Sequence, residues 1–359
     1  MHQVRNDKIK SKLEAEGLDA LLVTSLPNIQ YLSGFTGSTA MVLVTRENCW
    51  FLTDFRYHER VGEEVWDGYT LIDNTGKKLT EEIIPNLADG AKLKKIGFES
   101  DYVTHATHAN LAKAEGLEFV PTTGWVMDLR MVKDANEIEL IRKSVLLNER
   151  IFTELLPLIG PDITEADFAA EISYRALRYG AEGISFDPIV ASGPNSSKPH
   201  AGFTTSKLVP GTPLTFDMGV RLNGYCSDMT RTVFYKDCPA EWVKVYNFVR
   251  QAKDAAHAAI KPGKLGKEID AVARTLIYEA GYEGKFEHGL GHGVGIEVHE
   301  MPRLAKPSET VLAPGHVATN EPGIYLPGEG GIRIEDIFVV TADGAENLNT
   351  LNTEIQILG

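Results

Sequence analysis

Two stretches of this chain set carboxylates into alternating, apolar sequence, and that combination constrains the fold more than any other feature. The first, Leu214–Phe234, holds Asp217 and Asp228 on either side of Leu222-Asn223-Gly224, which reads as a hairpin turn. If Leu222-Asn223 forms the loop, Asp217 faces Asp228. If Asn223-Gly224 forms it, Asp217 faces Thr230 and Asp228 is the diagonal neighbour. Side chains in a strand repeat every two residues, so either register sets both carboxylates on one face. In the second stretch, Glu321–Glu335, Pro327-Gly328 and Gly330-Gly331 mark a turn centred near residue 328. That centre pairs Glu321 with Glu335 and sets Arg333 on their face. Like charges placed this way destabilise a hairpin, so a fold built on both needs a cation between the acids.

The run His288–His299 supplies a further donor type. It carries three of the chain's ten histidines, interleaved with Gly289, Gly291, Gly293 and Gly295. So many glycines rule out a stable helix and predict loop and strand. A dinucleotide-binding glycine loop is excluded, because no helix follows and histidines flank the glycines. Four carboxylates and an imidazole match a site for two hard-to-borderline divalent ions. Two such ions carry the charge that offsets four carboxylates, and a water between them becomes a nucleophile near neutral pH.

Composition narrows the partners. The net charge of −14 gives no basic face for nucleic acid and suits bound cations or a neutral or cationic ligand. Cys49, Cys226 and Cys238 match no zinc spacing and no closed disulfide framework, so they read as thiols of a reducing compartment. The first residues form no signal peptide and no run is long and apolar enough for a membrane span, so a cytoplasmic location is expected.

A length of 359 residues suggests two domains. The first half alternates strands at 20–24, 41–45, 49–53, 95–98 and 117–120 with helices at 6–16, 56–65, 80–88 and 104–115, an α/β pattern. The boundary falls between Leu129 and Asp134, giving domains 1–130 and 131–359. Asp134 with Glu137 then opens a helix over 135–158, and Thr164 with Asp167 opens another over 165–179. Strand-rich segments at 185–235 and 286–340 follow, separated by helices at 239–260 and 267–280.

The motifs resemble those of the pita-bread metallopeptidases, the family of prolidase, aminopeptidase P and, more distantly, methionine aminopeptidase. Ser33–Gly37 and Phe51–Tyr57 are similar to the N-terminal domain shared with creatinase, and Arg130–Ser144 to the family's interdomain helix start. The resemblance implies a creatinase-like α/β domain ahead of a pita-bread catalytic domain, α/β (α+β) in class. It implies Asp217, Asp228, His292, Glu321 and Glu335 as metal ligands, with Asp228 and Glu335 shared by two ions. Mn or Co is expected, with zinc possible. His200, in Ser192–His200, together with His288, His299 and Arg333, matches the family's other active-site positions. Two departures leave all five ligands in place: Asn320 precedes Glu321 where an apolar or β-branched residue is common, and Phe55 replaces a small residue. Asn320 is positioned to retune Glu321.

The implied reaction is hydrolysis of an Xaa-Pro imide bond in small peptides by a homodimer. Glu321 is the expected general base. His299 and His200 are expected to donate to the oxyanion or the leaving group. The glycine loop from Gly289 to Gly295 is expected to let backbone approach the substrate. Arg303 resembles the prolidase residue that grips a dipeptide's carboxylate, which favours dipeptidase over aminopeptidase P. A metal-free creatinase-type hydrolase and a non-enzymatic binding module are the remaining readings, and five intact ligands argue against both.

Overall fold

The computed structural model describes residues 1–359, which divide into two units, Met1–Arg130 and Met131–Gly359. In the first, the apolar runs Ala20–Val23, Met41–Thr45 and Cys49–Thr53 pair antiparallel in the middle of a six-stranded sheet. Lys95–Glu99 and Glu118–Thr122 extend it in parallel on one side, and Thr70–Asp73 does so on the other. Three elements here carry weak sequence signals. Helix Leu26–Ser33 is short, has Pro27 in its first turn and stops at Gly34, whose φ is +92°. Thr70–Asp73 is a largely exposed edge strand without alternation. Helix Trp125–Met131 ends the unit. The helix expected over 80–88 begins as a π-turn at Leu79–Ile83 and turns α only at Ile84, where Pro85 suits a first turn.

The second unit opens as its caps dictate. Asp134 accepts from the backbone of Asn136 and Glu137, while Glu137 reaches back to Asp134, and helix Ala135–Leu155 follows. Thr164 and Asp167 do the same for helix Glu165–Arg178. This helix pair packs on a four-stranded sheet containing Ile189–Ser192, Pro213–Met218 and Met229–Tyr235. Phe216 meets the rings of Phe152 and Phe168 edge-on at 5.7 and 5.0 Å, a geometry that adds about 0.5–1.5 kcal/mol per pair. The second helix pair, Ala240–Ala259 and Gly266–Ile277, packs in turn on the strands Gly291–Gly293, Glu300–Leu304, Val317–Asn320, Gly323–Leu326, Gly330–Arg333 and Asp336–Val340. Each helix pair therefore buries one face of its sheet. The carboxylate-bearing faces look the other way.

The turn chemistry settles the register left open by the sequence. Asn223 and Gly224 both have positive φ, +51° and +78°, which is the type I′ arrangement. Leu222 then pairs with Tyr225, and the same register carries down to Asp217 opposite Thr230. Asp228 is the diagonal neighbour. In the second hairpin Gly323 pairs with Arg333 and, below it, Asn320 with Asp336, so Glu321 and Glu335 fall opposite each other between two paired stretches.

Candidate metal centre

The strand Gly291–Gly293 delivers His292 between the two hairpins. It fits because glycine flanks the histidine: a Cβ on Gly291 would lie 2.0 Å from the Thr319 carbonyl oxygen, and one on Gly293 would lie 2.1 Å from that of Met301. These two glycines permit a close approach to the neighbouring strands, and Gly291, with Gly289, also lines the cavity. Thr319 Oγ1 accepts from the His292 backbone N–H at 3.1 Å. On the ring, Nδ1 lies 3.1 Å from the Gly293 carbonyl, to which it donates, so the Nε2 lone pair faces the acids. Nε2 stands 3.3 Å from Glu321 and 3.6 Å from Asp228. Burial, with His299 close by, lowers the His292 pKa to about 4, so the ring is neutral and fit to ligate.

The acids are buried together. Asp228, Glu335 and His292 can aim one ligand atom each at a common point, all within 4.8 Å of one another. Asp228 and Glu335 are 4% and 1% exposed. Burial, then the neighbouring acids, raises both well above the ordinary carboxylate range; Glu335 and Glu321 respectively head those neighbours. Burial likewise pushes Glu321 up to about 8, with Arg333 opposing and Asp217 reinforcing. Asp217 Oδ1, Asp228 Oδ1 and Glu335 Oε1 are buried and accept no hydrogen bond. Anionic oxygens left this way are costly unless a cation takes them. The neutral imidazole and orphaned hard oxygens fit divalent metal ions.

Arg333 ties the site together. Its guanidinium, 4% exposed, donates to Asp217 Oδ2 at 2.6 Å, to the Thr230 hydroxyl at 3.1 Å, to the Tyr325 hydroxyl at 2.7 Å and to the Pro199 carbonyl at 3.2 Å. The Thr230 hydroxyl itself donates to Glu335 Oε2 at 2.7 Å. Tyr325 donates in turn to His288 Nε2 at 2.9 Å, while His288 Nδ1 donates to the Gly289 carbonyl at 2.8 Å. Burial first, then Arg333, lowers the His288 pKa to about 3. His288 is therefore a neutral ring with both nitrogens engaged, steadying Tyr325 and through it Arg333.

All ten expected side chains, His200, Asp217, Asp228, His288, His292, His299, Arg303, Glu321, Arg333 and Glu335, line one cavity of about 780 Å³. His200, His299 and Arg303 are exposed at its rim, and the His299 ring meets that of His292 at 4.3 Å. Arg303 stands directly opposite His292 across the antiparallel pair. Asn320 is buried and donates to the Lys253 carbonyl at 2.9 Å, which anchors the backbone just ahead of Glu321. Sequence reasoning missed Tyr325, although it lies an even number of positions from Glu321 and so on the same strand face. It also missed the apolar wall of Phe186, Pro188, Ile189 and Phe203, which carries no motif.

The chain matches the family model "Metallopeptidase family M24" over residues 139–342 and "Creatinase/Prolidase N-terminal domain" over residues 5–132. It is 33% identical to an Xaa-Pro dipeptidase from Pyrococcus horikoshii, over 98% of this chain and 99% of that protein. Among solved structures, it is similar to an Xaa-Pro dipeptidase from Bacillus anthracis, with a TM-score of 0.96, 35% identity and complete coverage of both chains. It is also similar to an X-Pro aminopeptidase from Thermotoga maritima, with a TM-score of 0.90, 34% identity and coverage of 97% of this chain and 100% of that one. With a buried acid and imidazole cluster suited to divalent ions, and these matches along its whole length, the chain belongs to metallopeptidase family M24 and carries a creatinase/prolidase N-terminal domain.

Proposed function

We propose that this enzyme hydrolyses the Xaa-Pro imide bond, above all in Xaa-Pro dipeptides. The observation that carries the reading is the convergence, in one cavity, of five candidate ligands with an exposed arginine at the rim. Asp217, Asp228, His292, Glu321 and Glu335 would hold two divalent ions, which supply Lewis-acid polarisation of the scissile carbonyl and an activated water. Glu321, which bound ions would hold as a carboxylate, can take the proton of the attacking water on a carboxylate oxygen. As the new C–O bond forms and the C–N bond breaks, the same carboxyl hands the proton to the departing proline nitrogen. His200 and His299, at the rim, are in position to donate to the developing oxyanion or to the leaving proline. A prolyl nitrogen offers no N–H, so recognition has to rest on the ring's shape and on charge. Phe186, Pro188, Ile189 and Phe203 supply apolar surface for the ring, and the Arg303 fork matches the carboxylate that follows it.

The similarity to an X-Pro aminopeptidase supports a second reading, removal of one residue before proline from longer peptides. The two part on substrate length. After reconstitution with Mn²⁺ or Co²⁺, the enzyme should cleave an Xaa-Pro dipeptide with the higher kcat/KM, and a preference for an Xaa-Pro-Yaa tripeptide would select the second reading. We extend the proposal to Mn or Co as the ions, with zinc as a further candidate, and to a cytoplasmic homodimer. These rest on the oxygen-rich ligand set, the reduced cysteines and the family resemblance. No helix is long and apolar enough to cross a membrane.

A further inference from the structure

The loop that carries His200 leaves strand Ile189–Ser192, makes a short 3₁₀ turn at Gly193–Ser197 and returns past Thr204 to Lys207. Its tip, from Pro199 to Phe203, forms one lip of the cavity. Beneath it lies Glu165, the first residue of helix Glu165–Arg178, whose side chain belongs to none of the ligand or rim groups described above. Glu165 is only 1% exposed, yet it accepts four hydrogen bonds, all from this loop. One oxygen takes the Ser192 N–H at 2.7 Å. The other takes the Asn195 amide at 3.0 Å, the Thr204 N–H at 2.8 Å and the Thr204 hydroxyl at 2.7 Å. The helix N-terminus completes the grip, because the N–H groups of Glu165 and Ala166 donate to the carbonyls of Ser206 and Thr204. One carboxylate therefore joins the outgoing and returning arms of the loop. From above, the Ser196 hydroxyl accepts from Gly331 N–H at 2.9 Å and the Pro199 carbonyl accepts from Arg333, so the loop is also tied to the Glu321–Glu335 hairpin.

We infer that Glu165 is a positioning residue: it closes the base of the 193–204 loop and so sets His200 and Phe203 at the cavity lip. The inference rests on the proposed peptidase reading for its kinetic consequence, but not for its structural one. All four partners are donors, so only a group with two accepting oxygens satisfies them. In Glu165→Gln the amide must turn its NH₂ toward either Ser192 or the Thr204 side, leaving the donors of one arm without their side-chain acceptor. A buried donor without an acceptor favours opening of that arm.

The test uses the metal-loaded, full-length enzyme. Wild type, E165Q, E165A, H200A and E165A/H200A are compared for kcat and KM on an Xaa-Pro dipeptide, for metal content, and for amide hydrogen exchange over 193–204. Displacement of one substrate-contacting group by an ångström costs up to about a hundredfold. E165A should therefore lose roughly 10- to 100-fold in kcat/KM with metal content unchanged. The double variant should lose less than the product of the two single losses, and exchange at 193–204 should rise in E165Q. Wild-type kinetics in E165A, or losses that multiply in the double variant, would overturn the inference. If E165A does not fold, E165Q decides by the same measures. If wild type cleaves no Xaa-Pro substrate, the peptidase reading has failed. The exchange comparison still decides this one, since unchanged protection in E165Q would refute it.

Discussion

Removing the metal should make the fold less stable as the pH rises from 6.5 to 8. The cause is Glu321, pushed to about 8 by burial and by Asp217 against the pull of Arg333, with Asp228 and Glu335 also raised. An unfolded glutamate releases its proton near pH 4.3, whereas the folded metal-free chain keeps it. A group whose folded pKa is raised contributes stability below its unfolded pKa and loses it as the pH climbs through the folded one. The slope is about 1.4 kcal/mol per pH unit for each retained proton. Between pH 6.5 and 8, Glu321 alone should account for about 1.5–2 kcal/mol. For a unit the size of Met131–Gly359 that corresponds to a Tm drop of roughly 3–7 °C. The depressed histidines of this unit, His257, His288, His292, His299 and His316, act in the opposite sense up to about pH 7.5, where unfolded imidazoles still take up protons, and so offset part of the fall in the lower half of the window. E321Q keeps that opposing contribution, so the Glu321 share is read as the difference between the two slopes. Thermal denaturation in EDTA at three pH values, beside the Mn²⁺-loaded enzyme, reads the effect. Bound ions hold the acids deprotonated, so the loaded enzyme should lack the fall, and E321Q should flatten the metal-free slope. A metal-free Tm that stays level or rises over this window would refute the reasoning.

Four substitutions probe the site more directly. Asp228→Asn or Glu335→Gln should abolish binding of two ions, since each is assigned to both, and two tightly held ions per chain in either variant would remove that assignment. His299→Ala should lower kcat by roughly 10²–10³ with metal content intact, as for loss of one oxyanion donor; loss of metal along with activity would make His299 a ligand. Arg303→Ala should weaken Xaa-Pro dipeptides, read as KM, by about 1.5–3 kcal/mol and barely affect an Xaa-Pro-Yaa tripeptide. Equal losses on both substrates would make Arg303 structural.

Much of the candidate metal centre was legible from local rules, because hairpin parity is a local property. Two-residue periodicity set Asp217 with Asp228, and Glu321 with Glu335, before any tertiary contact was known. The choice between the two registers was left open by the sequence and is settled by the positive φ that Asn223 and Gly224 adopt in the fold. The caps at Asp134 and Thr164 were a local signal of two helix starts, since each side chain bonds within three residues. Where local signals were weak, as in the exposed edge strand Thr70–Asp73, pairing with Cys49–Thr53 made the element.

What the tertiary structure alone decided is how the separate pieces act on one another. Arg333 meets Asp217, and Thr230 meets Glu335, only because the two hairpins pack together. His292 presents Nε2 because a strand squeezed between neighbours hands its Nδ1 to a carbonyl. The raised acids and neutral histidines are consequences of burial, a quantity no motif carries. The four donors around Glu165 come from a loop that begins 27 residues away at Ser192, and neither end of that arrangement stands out in sequence. Spacing along the chain specifies which side chains share a face, while charge state, orientation and hydrogen-bond partners come from what packs against that face, and those belong to the folded molecule.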